Sequence, residues 1–302
     1  MSVAANNLIA FATCLDFPQL AKDDIALAEA LTAAGHQVEA APWDDNTIDW
    51  DRYDVIVIRS AWNYHLHPED FRRWLRYLGG LQKRVANPVD ILEWNMDKDY
   101  LDGLRQMDVP LPDTRFLEKQ TLPDLEDIFQ STGWEKAVIK PCISATAYNT
   151  WTTKPRTAQA DTPRLHQMLK THRYIIQEFM EEVESDGEYS LIFFGHQYSH
   201  AVKKTVKKGD FRVQSEYGGS SKAFRPSPSL IHQATAILDK AVPFEAAPRL
   251  LYARVDGIFR NGIFILMELE LVEPSLFINK NPRAIQQFLY FFNSSFTAAA
   301  IC

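Results

Sequence analysis

Residues 254–270 constrain the fold most strongly, because their pattern predicts a β-hairpin with acidic side chains in both strands. An Asn-Gly pair separates two apolar runs, which is a strong signal for a tight hairpin turn. Asp256 falls in the first strand, and Glu268 and Glu270 fall in the second. Burying a carboxylate beside such a strand is unfavourable unless a partner compensates its negative charge. Carboxylate oxygens are suitable ligands for Mg²⁺, which often binds carboxylates and substrate phosphates at the same time. The stretch therefore predicts a magnesium site.

Length, charge and cysteine content limit the classes of protein that fit. A chain of 302 residues is long enough for two domains, or for one domain with a lid. The net charge of −7 argues against a nucleic-acid partner, because such proteins usually present a basic face. Cys14, Cys142 and Cys302 have neither disulfide nor zinc-site spacing, which favours a reducing compartment. We find no signal peptide and no long apolar run, so we expect a cytoplasmic protein without a membrane partner.

The first 80 residues alternate between strand and helix patterns. Apolar or β-branched runs at 8–12, 37–41 and 53–59 predict strands, and helical periodicity appears at 23–34 and 67–78. This order predicts an α/β domain with a mostly parallel sheet.

A domain boundary is predicted near residues 93–97. A helix is expected from about 98 to 107, and Pro110 and Pro112 then force an extended segment.

Two lysines stand where phosphate could be bound. Lys98 opens a predicted helix after a loop, and Lys140 ends an apolar strand. The mostly small residues 142–147 follow Lys140, so loop amides could add donors to its charge. The alternative is that each lysine is a surface residue whose aliphatic stem lies along apolar neighbours.

Residues 177–180 predict an edge that could contact a purine base. An extended backbone between apolar side chains can read adenine through its own N–H and C=O groups. Glu184 or Glu188, a few residues later, could accept hydrogen bonds from ribose hydroxyls. An acidic, solvated loop is the alternative interpretation of both glutamates.

Lys203, Lys204, Arg212 and Gln214 form a basic and polar set after a second predicted hairpin. The rigid donor fork of Arg212 suits phosphate or carboxylate oxygens. An exposed basic loop is the alternative.

Arg59 follows the third predicted strand, and ligands of open parallel sheets lie beyond the carboxyl ends of strands. We therefore expect Arg59 to meet an anionic group of a substrate. His65 and His67 lie nearby, but nothing else completes a set of metal ligands around them.

Several common nucleotide-binding and hydrolase motifs are missing from the sequence. It contains no Gly-x4-Gly-Lys-Ser/Thr, no Gly-x-Gly-x-x-Gly and no Gly-x-Ser-x-Gly. This disfavours P-loop NTPases, Rossmann dehydrogenases and serine hydrolases.

The order of these features along nearly the whole chain resembles the ATP-grasp superfamily, and especially its glutathione-synthetase-like and ribosomal-protein-modifying ligases. Four segments, 58–64, 187–191, 198–202 and 267–270, are similar to the O-ureido-serine cyclo-ligase group of cycloserine biosynthesis. The resemblance implies an α/β fold that is α+β in its ATP-binding half. It implies an N-terminal parallel-sheet domain, a central lid and a C-terminal antiparallel-sheet domain, at 1–95, 96–182 and 183–302.

The resemblance also implies roles in binding ATP and two Mg²⁺ ions. Lys98 and Lys140 would bind the α- and β-phosphates, with Ser144 in the covering loop, and Arg212 would steady the γ-phosphate or an acyl phosphate. The adenine and ribose would contact residues of one further segment: Gln177, Glu178, Phe179, Met180, and Glu184 or Glu188. Asp256, Glu268 and Glu270 would hold the metal, and Arg212, Lys140 and Arg59 would act on the reacting groups.

Two positions depart from the superfamily pattern. The phosphate-covering loop is usually rich in glycine, whereas here residues 144–147 are Ser-Ala-Thr-Ala. The metal motif is commonly Glu-x-Asn, whereas here Glu270 takes the place of Asn, and Glu273 is a further nearby carboxylate.

The resemblance implies a carboxylate–amine ligase that forms an amide through an acyl phosphate, with an amino-acid-like substrate, and a homodimer is common among similar proteins. One alternative is a phosphotransferase on the same fold. A second is an ATP-binding regulatory protein without turnover, although two lysines and three carboxylates are more than binding alone needs.

Overall fold

A computed structural model of the protein describes residues 6–81, 84–207, 212, 218–242 and 250–296. These residues form three sheets that follow one another along the chain, within the ranges 1–95, 96–182 and 183–302. No helix in the described part of the chain is both long enough and apolar enough to cross a membrane.

The first sheet is parallel and has the strand order β2-β1-β3-β4. Its strands are β1 (Leu8–Thr13), β2 (Gln37–Pro42), β3 (Val55–Ile58) and β4 (Arg84–Ala86). All four residues of β3 are buried, and successive ones join apolar clusters on opposite faces of the sheet. This explains its continuous run of Val and Ile, since both faces of the strand are covered.

Helices accompany this sheet and lead out of it: α1 (Lys22–Ala33), α2 (Pro68–Gly80), α3 (Val89–Asn95) and α4 (Tyr100–Gln106). Helix α1 follows the helical periodicity of residues 23–34, and Gly35 lies just beyond it with a φ of +98°, as is common after the end of a helix. Pro68 occupies the start of α2, where its missing N–H group has no intrahelical partner to lose. The parallel α/β pattern predicted for this region is therefore confirmed.

The second sheet is antiparallel, with the order β5-β8-β6-β7, and two helices pack against it. Its elements are β5 (Thr114–Leu117), α5 (Leu125–Thr132), β6 (Ala137–Pro141), β7 (Trp151–Thr153), α6 (Ala158–Leu169) and β8 (Tyr174–Glu178). The sequence fixes the ends of α5 locally, since Asp124 accepts a hydrogen bond from Glu126 N and Gly133 follows the helix with a φ of +73°.

The third sheet is antiparallel, with the order β11-β10-β9-β12-β13. Its elements are α7 (Glu182–Ser185), β9 (Glu188–Phe194), β10 (Gln197–Thr205), β11 (Ser220–Phe224), α8 (Pro228–Ala241), β12 (Ala253–Arg260), β13 (Ile263–Glu270) and α9 (Ala284–Phe296). Phe288 and Phe292 of α9 share one apolar cluster with residues of β1, β3 and β9. The helix therefore joins the first sheet to the third.

The hairpin predicted at residues 254–270 is confirmed. It consists of β12 and β13, and its turn residues Asn261 and Gly262 have φ values of +51° and +84°. Such positive φ values at both positions are typical of the turn that suits a two-residue hairpin. The pairing shifts register by one residue beside Asp256, which is a β-bulge.

Candidate active site

The main cavity has a volume of about 350 Å³ and is lined by all three parts of the chain. That volume lies within the range of about 300–1,000 Å³ typical of small-molecule sites. Residues of β6 and β8 line one side, and β12 and β13 line another. Of the sites predicted from the sequence, the cavity contains Lys98, Lys140, Ser144, Gln177, Glu178, Phe179, Met180, Glu188, Arg212, Asp256, Glu268 and Glu270.

The three predicted metal ligands come together in this cavity. Asp256, Glu268 and Glu270 each offer a carboxylate oxygen, and these oxygens lie within 4.8 Å of one another. Asp256 is paired with Glu268 across the hairpin, and Glu270 is two residues further along the same strand. An all-carboxylate donor set of this kind fits Mg²⁺, which prefers oxygen ligands. The arrangement supports the assignment that the hairpin pattern predicted.

Positive side chains compensate this concentration of negative charge. Asp256 accepts hydrogen bonds from Lys204 Nζ at 2.9 Å and from Arg254 Nε at 3.0 Å, and Arg254 also donates to Glu270. Burial acts to raise the pKa of Asp256, but Arg254 and Lys204 outweigh it and the pKa falls to about 2. Glu270 shows the opposite balance, since burial raises its pKa well above the usual range despite Arg254. The site therefore holds one firmly ionised carboxylate beside one that burial makes harder to ionise.

Lys98 and Lys140 both line the main cavity. Lys98 Nζ lies 3.1 Å from Glu268 Oε1 and 3.3 Å from Ser144 Oγ, so it connects the metal cluster to the small-residue loop. Burial acts to lower the pKa of Lys98, yet the charge of Glu268 raises it overall. For Lys140, burial prevails and the pKa is lowered. Lys98 is only 6% exposed and is therefore not a surface lysine, whereas Lys140 is partly buried in the cavity wall.

The predicted adenine edge lines the cavity but is less open than expected. The N–H groups of Glu178 and Phe179 donate to Asp113 O at 2.9 Å and Lys136 O at 3.0 Å. Neither N–H group is free to read a base, and Met180 O accepts a hydrogen bond from Val183 N at 3.1 Å, so the N–H of Met180 is the candidate donor. The side chain of Gln177 is also occupied, since its Nε2 donates to Thr114 Oγ1 at 2.8 Å.

The structure separates the two glutamates that were considered for the ribose. Glu188 lines the cavity and pairs with Lys204. Glu184 is not among the lining residues and instead accepts a hydrogen bond from Lys136 Nζ at 2.6 Å. The placement favours Glu188, and Glu184 is better described as half of an ion pair.

The two predicted arginines occupy different places. Arg212 lines the main cavity, as expected for a residue that would meet phosphate. Arg59 does not line it: its side chain is only 2% exposed, and Nε donates to Asp24 Oδ1 at 2.8 Å. The expectation that Arg59 meets an anionic group of a substrate therefore stays a prediction, and the main cavity is not where Arg59 would meet it. Arg59 lines a smaller neighbouring cavity instead.

Two basic residues of the site were not predicted from the sequence. Arg254 had no predicted role, and Lys204 was predicted only as part of a basic set. Both are buried and both donate to Asp256. Arg254 could have been found from strand alternation, because residues two apart on a strand face the same side. Lys204 carries no such local signal, since only the pairing of β9 with both β10 and β12 brings it beside Asp256.

Comparison with solved structures identifies the architecture. A crystal structure of D-cycloserine synthetase DcsG matches with a TM-score of 0.84 at 24% identity, covering 95% of this chain and 99% of that one. The ATP-grasp ligase PsnB, in a complex with a phosphomimetic variant of a minimal precursor, Mg and ADP, matches with a TM-score of 0.64 at 12% identity, covering 97% and 100%. The chain has the ATP-grasp fold.

Sequence relatives agree with the ATP-grasp fold and with the resemblance to the cycloserine group. The cycloserine biosynthesis protein DcsG of Streptomyces lavendulae is 27% identical over 267 residues, which are 83% of this chain and 86% of that protein. The family model for the N-terminal domain of D-cycloserine synthetase DcsG matches residues 9–87. That match covers the parallel sheet up to the start of α3, so the similarity extends beyond the ATP-binding half.

Proposed function

We propose that this protein is an ATP-dependent carboxylate–amine ligase that acts on an amino-acid-like substrate. The observation that carries the proposal is the composition of the main cavity, in which the buried Lys98 and the partly buried Lys140 accompany three clustered carboxylates. Lysines suit the phosphates of ATP, and the carboxylates suit the Mg²⁺ that accompanies them. The similarity to a synthetase and a ligase of the same fold supports the same class of reaction.

The reaction would proceed in two displacements. A carboxylate oxygen of the substrate attacks the γ-phosphorus of ATP, and the bond to the bridging oxygen breaks to release ADP. A neutral amine then attacks the carbonyl carbon of the acyl phosphate, the C–O bond to phosphate breaks, and the nitrogen loses a proton. Phosphate is the good leaving group that a free carboxylate lacks. Catalysis would depend mainly on positioning and on charge stabilisation.

Each wall of the cavity would have a separate task. Lys98 and Lys140 would hold phosphate oxygens, with Ser144 and its loop above them. Met180 and Glu188 would contact the nucleoside, and Arg212 would hold the transferred phosphoryl group. Asp256, Glu268 and Glu270 would hold Mg²⁺, which when bound would neutralise phosphate charge.

Water must be kept from the acyl phosphate, because hydrolysis would waste the intermediate. The second sheet and its loop at residues 144–147 would act as the lid over the cavity. We further propose a homodimer in the cytoplasm, which light scattering and cell fractionation would test.

The first experiment measures ADP release from ATP and Mg²⁺ with a panel of amino acids and dipeptides. We expect ADP release that depends on one substrate, together with an amide product and free phosphate. A stable phosphorylated product would favour a phosphotransferase instead. Nucleotide binding without ADP release across the panel would favour a regulatory protein, and the absence of ATP binding would overturn the proposal.

Glu268→Gln tests the assignment of the metal site. The variant keeps the size of the side chain but removes its charge, so we expect substrate-dependent ADP release to fall at least about a hundredfold while the melting temperature stays close to wild type. Glu39→Gln is the matched control, because Glu39 also pairs with a basic residue, Arg52, but lies on the first sheet away from the cavity. Wild-type turnover in Glu268→Gln would show that the assignment is wrong.

A further inference from the structure

Most carboxylates that line the main cavity are in ion pairs with basic side chains. These pairs are Glu268–Lys98, Glu270–Arg254, Asp256–Arg254, Asp256–Lys204 and Glu188–Lys204. Glu178 and Glu273 also line the cavity, but neither has an ion pair with a residue that the structure describes. Glu178 belongs to the predicted adenine edge at the end of β8, so Glu273 is the carboxylate without an assigned ligand.

The order of residues along β13 places Glu273 beyond the metal cluster. Met267 packs against the apolar cluster that contains Met180, the proposed nucleoside contact. Glu268 and Glu270 follow on the same strand, and Glu273 comes three residues later, a span of at most about 10 Å along the chain. Because the phosphates of a nucleotide would lie between these two ends, Glu273 is at the end where the phosphoryl acceptor would bind.

Electrostatic interactions place Glu273 close to both the metal cluster and the first sheet. Burial and the charge of Glu268 raise the pKa of Glu273 to about 7, although Arg254 acts in the opposite direction. Burial and then the charge of Glu273 raise the pKa of Tyr64, which follows β3 and lines the same cavity, well above its usual value. Ligands of parallel sheets bind beyond the carboxyl ends of the strands, where Tyr64 lies. A cationic ligand in this part of the cavity would stabilise the charged form of Glu273.

The backbone on both sides of Glu273 is fixed by side chains from the first and third parts of the chain. The hydrogen bonds are Leu271 N to Asn95 Oδ1 at 2.7 Å, Tyr252 Oη to Val272 O at 3.0 Å and Arg59 Nη2 to Pro274 O at 2.8 Å. A binding group whose backbone is already ordered loses less conformational entropy when a ligand binds. Glu273 is therefore a preorganised anionic group.

We propose that Glu273 binds a cationic ammonium group of the amino-acid-like substrate and so orients the reacting carboxylate of that substrate towards the metal cluster. A hydrogen bond between ammonium and carboxylate is charge-assisted and therefore stronger than one between neutral groups. Glu273 is not in the group of described carboxylates whose oxygens lie within 4.8 Å of one another, so the ammonium does not compete with Mg²⁺ for those oxygens.

The protonation state of this ammonium has a consequence for the reaction. An ammonium bound to Glu273 keeps its proton and is not a nucleophile, so the nitrogen that attacks the acyl phosphate is a different group. The inference rests on the proposed ligase function and adds to it a residue that determines substrate specificity.

Isothermal titration calorimetry compares amino acids with analogues that lack only the amino group. The amino acids are the D and L forms of serine, alanine and glutamate, and the analogues are 3-hydroxypropionate, propionate and glutarate. Each is added to the protein with Mg²⁺ and the non-hydrolysable ATP analogue AMP-PNP. We expect at least one amino acid to bind, and its analogue to bind at least about tenfold more weakly because it lacks the positive charge.

Two variants assign this preference to Glu273. Glu273→Gln keeps the size of the side chain but removes its charge, so we expect affinity for the amino acid to fall at least about tenfold. Affinity for the analogue without the amino group should change less than about threefold, so the preference is lost. Glu273→Asp keeps the charge on a shorter side chain and should retain part of the preference. Glu39→Gln, the same exchange outside the cavity, is the control and should leave both affinities within about twofold.

The Mg²⁺ dependence of AMP-PNP binding distinguishes an ammonium ligand from a metal ligand. The half-saturating Mg²⁺ concentration should change less than about threefold in Glu273→Gln, because Glu273 lies outside the cluster of carboxylates that would hold the metal.

The outcomes separate this inference from the proposed function. Equal binding of an amino acid and its analogue by the wild-type protein, an unchanged preference in Glu273→Gln, or no binding of any probe while AMP-PNP binds would overturn the role of Glu273 and leave the ATP site standing. A tenfold higher Mg²⁺ requirement in Glu273→Gln with an unchanged preference would make Glu273 a metal ligand instead. If AMP-PNP itself does not bind the wild-type protein, the proposed function fails first.

Discussion

At the scale of single residues, Glu270 is the feature that most distinguishes this site from the superfamily pattern. It places a third carboxyl group where Asn is common, and it shares Arg254 with Asp256. One guanidinium therefore serves two carboxylates. Affinity for a divalent cation depends on the number of charged ligands, so Glu270 should strengthen Mg²⁺ binding.

Glu270→Asn tests this role. The variant keeps an oxygen ligand but removes one charge, so we expect ADP release to survive at saturating Mg²⁺ and the half-saturating Mg²⁺ concentration to rise by about tenfold. The measurement is ADP release as a function of Mg²⁺ concentration, with Glu39→Gln as the control. Unchanged Mg²⁺ dependence would remove Glu270 from the set of metal ligands.

At the scale of elements, a single β-bulge decides which side chains of β13 face the cavity. Side chains alternate along a strand, so Leu266, Glu268 and Glu270 would share one face of a regular strand. The shift of register beside Asp256 interrupts this alternation, so residues before and after the bulge no longer follow one alternating pattern. Leu266 and Leu269 are thereby buried in the same apolar cluster, while Glu268 and Glu270 remain in the cavity.

Gly257→Ala tests the bulge. A Cβ atom at Gly257 would lie 2.4 Å from Ile265 O and from the Phe264 ring, so the hairpin would have to shift. We expect the free energy of unfolding to fall by about 1–3 kcal/mol, and ADP release to be lost with it.

Gly103→Ala is the matched control for that experiment. Gly103 lies within α4, and a Cβ atom there would meet nothing within 4 Å. The free energy of unfolding should therefore rise by about 0.5–1 kcal/mol, since alanine favours a helix over glycine. Denaturant unfolding measures both variants, and a neutral Gly257→Ala would contradict the argument.

The backbone of the small-residue loop at 144–147 and of the residues after it leads to a second prediction at this scale. Thr146, Ala147 and Asn149 have φ values of +52°, +56° and +47°, so the loop adopts conformations that favour glycine without containing one. The left-handed conformation costs alanine about 1 kcal/mol. A glycine at position 147 would remove that cost, and this gain should offset the conformational entropy that glycine adds to the unfolded chain.

We therefore expect Ala147→Gly to change the free energy of unfolding by less than about 0.5 kcal/mol. Ala160→Gly, an exposed position of α6, should lower it by about 0.5–1 kcal/mol. Denaturant unfolding compares the two, and an equal loss in both would show that residue 147 is not strained.

At the scale of the whole molecule, the second sheet is the part that is least tied to the rest. Its main apolar cluster contains only residues between 117 and 176, whereas α9 fixes the first sheet to the third. Asp97, Asp99 and Cys142 also bring ligand atoms within 4.8 Å of one another, but Arg173 pairs with both aspartates. That cluster is therefore better described as an ion-pair network than as a metal site.

This arrangement predicts which residues nucleotide binding will protect from hydrogen exchange. We expect AMP-PNP with Mg²⁺ to slow amide hydrogen exchange at least about tenfold in residues 144–150, which line or adjoin the cavity. Exchange in α5, which packs on the same second sheet but does not line the cavity, should change less than about twofold. Equal slowing of both segments would indicate general stabilisation instead of contact with the loop.

Local patterns in the sequence were sufficient for the hairpin at 254–270 and for the parallel pairing of the first sheet, and they singled out Lys98, Lys140 and the three carboxylates, which all line the main cavity. These depend on turn chemistry, periodicity and the cost of unpaired charge, which act over a few residues. Helix α9 shows the limit of such patterns. Its position between two sheets depends on packing against residues of β1 and β3, far earlier in the chain, as well as against β9.

The sequence by itself therefore determined which charged residues occur in the ATP-binding half of the chain. It also determined where the strands that contain these residues begin and end. Only the tertiary structure decided that Arg59 turns away from the main cavity, that Glu184 pairs with Lys136, and that Arg254 and Lys204 meet Asp256. The physical reason is that a buried charge needs a partner. Several partners are available along the chain, and only the packing of strands and helices selects among them.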